Sequence, residues 1–190
     1  MLIKSSDSLD AVFQTLKHEL HRGALDSKHP FRFMTLATGA GQNLSARYVV
    51  LRKVDEDLNF YFFSDLRTDK IKALRSNPGT ALVFYHPNKR VQIRVKGEAV
   101  LHHGNDVAKG FWTRIQGDAQ NAYQPIYAPG AIISHPEAAY HWEGKFQDHY
   151  FAVIQIIPKH MDLLQLNGQT HIRVGFEKTG KDWQINWLAP

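Results

Sequence analysis

The sequence predicts a mainly β fold, an antiparallel barrel of six to eight strands in Greek-key-like order with helices at its flanks. Three observations predict it. Apolar spacing changes near residue 31 from a helical repeat to strict alternation. The alternating runs are separated by short turn signals, and short turns join only antiparallel neighbours. Several such strands in one chain favour closure, which removes exposed sheet edges.

The elements follow in chain order. Leu9, Val12, Phe13, Leu16 and Leu20 recur at helical spacing, which predicts an amphipathic helix over 7–22, stopped near Gly23 and followed by a linker to residue 28. Ser8 is followed three residues later by Ala11, so a capping box is absent. FRFMTLAT (31–38), SARYVVLRKVD (45–55) and LNFYFFS (58–64) read as a meander of three strands, with turn chemistry at 39–43. DKIKALRSNP (69–78) is a short helix closed by Pro78-Gly79. TALVFYH (80–86) and RVQIRVKGEAVLHH (90–103) form a hairpin across Pro87-Asn88. Residues 105–116 look helical with Asn105 as N-cap, and 117–148 are irregular. Strands at 149–158, 161–166, 171–178 and 183–190 close the chain, the last two across a turn at 179–182. One domain over 1–190 is expected from the length, with the barrel strands in 31–103.

Composition excludes several classes. With no cysteine, the chain has no disulfide, thiolate metal site or cysteine nucleophile. No run of about 18 apolar residues is present, so no membrane-spanning helix is expected, and a cytoplasmic location is the simplest reading. The net charge of +5 suits an anionic ligand but forms no basic stripe of the kind nucleic acids need. Eleven histidines occur without a His-Glu-x-x-His pair, so no metal is expected. No Gly-x-Gly-x-x-Gly, P-loop or Gly-x-Ser-x-Gly element is present.

Three stretches carry candidate chemistry. In 45–53, alternation puts Arg47 on one face with Val49 and Leu51, and a guanidinium there needs an anion, from a carboxylate of the chain or from a ligand. In 62–70, a strand ends in Ser64, Thr68 and Lys70 at a helix start. That arrangement either caps the helix or holds a phosphate at its free N–H groups. In 89–97, Gln92, Arg94 and Lys96 oppose Val91, Ile93 and Val95. The Gln92 amide both donates and accepts, which suits an imide-like ring edge, whereas Arg94 and Lys96 read as a solvated outer face.

The order FMTLAT, SARYVVLRK, FYFFSDLRTDKIKALRSNP and ALVFYHPNKRVQIRVKGEA resembles the pyridoxamine 5′-phosphate oxidase family, closely over 31–116 and loosely over 149–190, where the ending WLAP also matches. The resemblance implies a split barrel and a homodimer with flavin mononucleotide (FMN) at the subunit interface. It also implies cofactor contacts from Arg47, Tyr48, Val49, Val50, Arg52, Phe63, Ser64, Thr68, Lys70 and Gln92. Asp69 stands where many members have an arginine. On the substrate side it implies Arg52, Arg114, His171 and Arg173, but the pattern departs there. Gly110 falls near a tyrosine position, Asp118 or Ala119 near a serine, and Ala128-Pro129 near a Gln-Ser pair. Gln165 and Gly175 fall near a tryptophan and an arginine, and His171-Ile172-Arg173 has exchanged order. The expectation is an FMN-dependent oxidoreductase with an unassigned small-molecule substrate. The alternatives are a true pyridoxamine or pyridoxine 5′-phosphate oxidase with a rearranged pocket, and a non-catalytic flavin- or haem-binding module using His135 and His141.

Overall fold

A computed structural model describes residues 1–40, 43–140 and 147–190. Its backbone is mainly β, with nine antiparallel strands and three α-helices among the described residues. The first helix, α1 (Leu9–Leu25), is longer than the sequence predicts. Gly23 does not stop it. A Cβ there would meet Phe31 Cβ at 2.7 Å, so Gly23 is small to let the linker pack closely. Ser8 caps the helix by accepting from the Ala11 N–H at 3.2 Å, without the reciprocal half of a capping box.

The expected strand over 45–55 is two strands. β1 (Phe33–Ala40) pairs β2 (Asn43–Val50), and β3 (Lys53–Val54) pairs β4 (Phe60–Asp65). Between them the Leu51 N–H donates to the Arg32 carbonyl and the Arg52 N–H to the Tyr61 carbonyl, each at 2.8 Å. The chain therefore changes sheet partner across one peptide unit. Most of the turn expected at 39–43 is strand on either side, with Ala40 opposite Asn43, and Gly41 and Gln42 lie outside the described residues.

After α2 (Asp69–Ser76) come β5 (Gly79–His86) and β6 (Val91–His102), then α3 (Asp106–Trp112), capped by Asn105 and shorter than expected. Two 3-10 turns, Gly117–Tyr123 and Pro136–Ala139, punctuate the segment that the sequence leaves irregular. The two strands expected at 149–158 and 161–166 are one, β7 (Phe151–Gln165), and the hairpin of β8 (Ile172–Thr179) and β9 (Asp182–Leu188) follows.

The strand order β2-β1-β5-β6-β7-β4-β3 returns to its start through the continuous β2–β3 chain, so the barrel closes covalently with six staves. One edge of β7 is shared: Phe151–Ile156 pair with β4, and His160–Gln165 pair with β8. Pro158, which has no N–H to donate, lies at that handover, beside a bulge opposite Lys96 and Gly97. The interior is filled by residues such as Met34, Leu36, Leu82, Phe84, Ile93 and Ile154, all fully buried. Val12, Leu16 and Leu20 of α1 join the same core.

The bulge leaves no room at Gly97, where a Cβ would stand 2.3 Å from the Ile157 carbonyl oxygen. Because the obstacle is backbone, Gly97→Ala is expected to lower stability by about 2–3 kcal/mol, read by urea unfolding. An unchanged midpoint would show that the two long strands separate freely.

Candidate functional site

One end of the barrel gathers the residues at the end of β4 and the start of α2. Arg47 lies opposite the fully buried Leu36 in the β1–β2 register, so it points to the interior side of the sheet. Its Nη1 donates to Thr38 Oγ1 at 2.8 Å and to the Leu36 carbonyl at 3.4 Å. No carboxylate among the described residues pairs with it. The salt bridge that the strand pattern allowed is absent among the described residues. Burial pulls the Arg47 pKa below its ordinary value.

Lys70 reaches the same place from the first turn of α2. Its Nζ donates to Ser64 Oγ at 3.1 Å. Its pKa is also lowered, first by burial and then by the Arg47 charge, against weaker opposite pulls from Asp65 and Asp69. Asp65 is already engaged, by Arg67 at 2.7 Å. Thr68 holds the N-cap position of α2, but its hydroxyl donates back to the Asp65 carbonyl at 2.9 Å and stands 3.1 Å from Ser64 Oγ. The expected side-chain cap is therefore not made. The first turn is closed only by the Ile71 and Lys72 N–H groups on the Thr68 carbonyl. Two cations, two hydroxyls and a helix start thus converge, and among the described residues no carboxylate is bonded to either cation. Such a set is suited to a dianion such as a phosphate monoester.

The other expected residues lie elsewhere. Tyr48 is 76% exposed and Val50 half-buried, both on the outer face, while Val49 is buried. Gln92 alternates with buried Val91 and Ile93, so it also faces outward, three strands from β2. Arg52 stacks over the Phe63 ring at 5.3 Å and faces Tyr123. Burial raises the Tyr123 phenol above its ordinary value, and the Arg52 charge opposes that rise. Around them Phe111, Trp112 and Phe151 form an aromatic layer outside β4 and β7. Arg67, which the sequence reading passed over, fastens the loop to this layer. It donates to the Pro125 and Ile126 carbonyls and lies 3.6 Å from the Tyr150 ring. Arg114 is exposed beyond α3, and exposed His171 accepts from the Asn167 N–H. Arg173 is held by Asp162 at 2.8 Å rather than left free. His135 is exposed beside Ser134, and His141 lies outside the described residues.

With this geometry in hand, comparisons place the chain among known proteins. Residues 10–103 match the family model described as pyridoxamine 5′-phosphate oxidase, FMN-binding domain. A pyridoxine/pyridoxamine 5′-phosphate oxidase from Cupriavidus necator is 30% identical over 169 residues, covering 83% of this chain and 78% of that one. Its counterpart from Shewanella frigidimarina is 31% identical over 160 residues, covering 76% and 72%. Among solved structures, a pyridoxamine 5′-phosphate oxidase-related FMN-binding protein from Nostoc punctiforme superposes with a TM-score of 0.79 at 22% identity, covering 93% of this chain and 96% of that one. PhzG from Burkholderia lata, solved with tetrahydrophenazine-1-carboxylic acid, gives 0.77 at 17% identity, covering 94% and 92%. These two share the split-barrel fold with this chain.

The opposite end of the barrel holds a second polar group that no sequence spacing reveals. Glu19 of α1, His29 of the linker and His86 at the end of β5 are all buried within 4.8 Å of one another. Glu19 Oε2 accepts from Lys89 Nζ at 2.7 Å and from His29 Nε2 at 3.3 Å, and Oε1 accepts from Arg22. The set looks like metal ligands, but the hydrogen bonds argue otherwise. His29 Nδ1 accepts from the Phe31 N–H and His86 Nδ1 from the Lys89 N–H, so in each ring Nδ1 is taken and Nε2 is left as the donor. A metal ion needs that lone pair. The group reads instead as a latch of α1 onto the β5–β6 hairpin.

Burial, aided by Lys89 and His29, holds the His86 pKa below its ordinary 6.5. Glu19 is held below 4.5, because the bonds from Lys89 and His29 outweigh its burial. In both cases the unfolded chain binds protons more readily, so stability is full above pH 6.5 and drains as the pH falls. The melting temperature is expected to drop between pH 7 and 5, and His86→Gln should flatten that part of the profile. An equal slope in the variant would remove His86 from the account.

Proposed function

The chain belongs to the pyridoxamine 5′-phosphate oxidase-related FMN-binding family, and from that premise we propose that it is a flavin-dependent oxidoreductase of a small molecule. FMN is its cofactor and supplies the hydride and electron chemistry when bound. The observation that carries the reading is the close approach of Arg47 and Lys70 without a carboxylate between them. A phosphate dianion there relieves their mutual repulsion, and the Ser64 and Thr68 hydroxyls with the α2 N-terminus complete its hydrogen bonds.

The rest of the site is two-sided. Gln92 faces outward and lies three strand spacings, about 14 Å, from β2, whereas Arg47 faces inward. A cofactor seated on Arg47 of one chain is therefore met by Gln92 of a second chain, in a homodimer joined through the outer faces. The apolar outer residues Phe33, Tyr48 and Tyr85, each about half exposed or more, support that interface.

The substrate grip of a vitamin phosphate oxidase is not rebuilt. Of the expected set, Arg114 and His171 are exposed, and Gly110 stands where the pattern has a tyrosine. We therefore assign the activity to a substrate other than pyridoxamine 5′-phosphate.

Purified protein is expected to carry flavin absorbance. Arg47→Ala with Lys70→Ala should weaken FMN by roughly 3–6 kcal/mol, a loss of all visible flavin from a folded protein. Full flavin content in that variant would move the phosphate elsewhere. Gln92→Ala should also weaken FMN. Mixing these two variants should restore one intact site per heterodimer, whereas a site built within one chain would gain nothing from mixing.

A further inference from the structure

The outer face holds a cavity of about 490 Å³ between β5, β6, β7, β8 and β9. Its wall is apolar where Ala81, Val83 and Leu188 line it, and its polar corner is made by Arg94, Asp162 and Arg173. That composition, a mostly apolar wall with a few convergent polar groups, is that of a small-molecule site.

The charges define what it takes. One oxygen, Asp162 Oδ2, accepts from Arg94 Nη2 at 3.0 Å and from Arg173 Nε at 2.9 Å and Nη2 at 2.8 Å. A single carboxylate thus serves two guanidiniums. Arg94 keeps its Nε and Nη1 donors without a partner among the described residues. Lys96 lines the same cavity and forms no ion pair there, and Glu177 faces His160 at 3.8 Å. Three cations against two carboxylates leave the pocket net positive. Asp162 orients the two arginines, and the cavity of about 490 Å³ beside them has volume enough for a small ring.

We propose that this cavity binds a small planar carboxylate, held by the Arg94 and Arg173 guanidiniums that Asp162 orients. Arg94 lies two residues from Gln92 on the same face of β6, which puts the bound ring beside the flavin edge. That the carboxylate is the redox substrate rests on the flavin reading above; that the cavity binds it does not.

The test is calorimetric titration of the protein as purified with benzoate, and with uncharged benzamide as the control. Benzoate is expected to bind at least about tenfold more tightly than benzamide, and to weaken as salt is added. Arg94→Ala should lose about tenfold or more of benzoate affinity with flavin content unchanged. Arg94→Lys should recover only part, since a point charge cannot replace the planar fork. Equal binding of benzoate and benzamide by the wild-type protein overturns the proposal, whatever the folding of the variants. Unchanged benzoate affinity in folded Arg94→Ala overturns it too. A colourless protein that still prefers benzoate overturns the flavin reading and leaves the cavity standing; a flavin-bearing protein that ignores benzoate does the reverse.

Discussion

Two positive charges brought together at the end of the barrel, with no carboxylate between them, set the terms for the rest of the structure. Bringing Lys70 near Arg47 in partly buried surroundings is unfavourable: burial lowers both pKa values, and the Arg47 charge lowers that of Lys70 further. The fold must therefore hold them by other means. Arg47 is fixed by Thr38 and the Leu36 carbonyl, and Lys70 by Ser64 and by its place in α2. None of these bonds neutralises charge. What remains is a fixed positive site that an anion completes.

That confinement depends on how the barrel closes. Arg47 is on β2 and Ser64 on β4, and these strands share no ladder. They stand at the same end because the chain leaves β1 at Leu51 and joins β4 at Arg52. Helix α2 then packs back over β1 and carries Lys70 in. A straight continuation of β2 along β1 would leave β4 without its neighbour and scatter the cluster. The split of β7 has the matching effect on the other side. By giving half an edge to β4 and half to β8, it closes the barrel and also extends the outer face on which Arg94, Asp162 and Arg173 meet.

Local pattern made much of this legible in the sequence. Alternation located most strands to within a few residues, and the strand-to-helix step at 64–70 was visible as hydroxyl and basic residues at a helix start. Where the sequence reading erred, a long-range partner decided. Nothing in SARYVVLRKVD marks a change of sheet at Leu51, and Pro158 hides a continuous strand because its missing N–H falls at the handover between β4 and β8. Gly23 looked like a stop and is a close contact with Phe31. In the site, Arg47, Ser64, Thr68 and Lys70 do converge, because three lie within seven residues and the fourth on the adjoining staff. Arg52, Gln92, Arg114, His171 and Arg173 do not join them. Their faces depend on register across β6, β7 and β8, and on a loop whose docking by Arg67 has no sequence signal. The Glu19, His29 and His86 latch escaped for the same reason, since its members come from three separate segments.

The division of the molecule by faces explains why one half of the chemistry is easier to read than the other. A phosphate can be held by groups at one barrel end, where a short sequence motif places them. A ring and its reaction partner need a flat, partly apolar wall, and on this chain the outer sheet surface offers one. Side chains there alternate with core residues, so their identity is constrained by neither packing nor a local motif. Arg94 illustrates it. From sequence it is one more charge on a solvated strand, and only the β6–β7 register sets it opposite Asp162 and gives it a second arginine to share that carboxylate. The outer face of such a fold is free to change by substitution while the basic cluster at the barrel end stays fixed. A chain that keeps the basic cluster and rearranges the outer pocket is the expected product of that freedom.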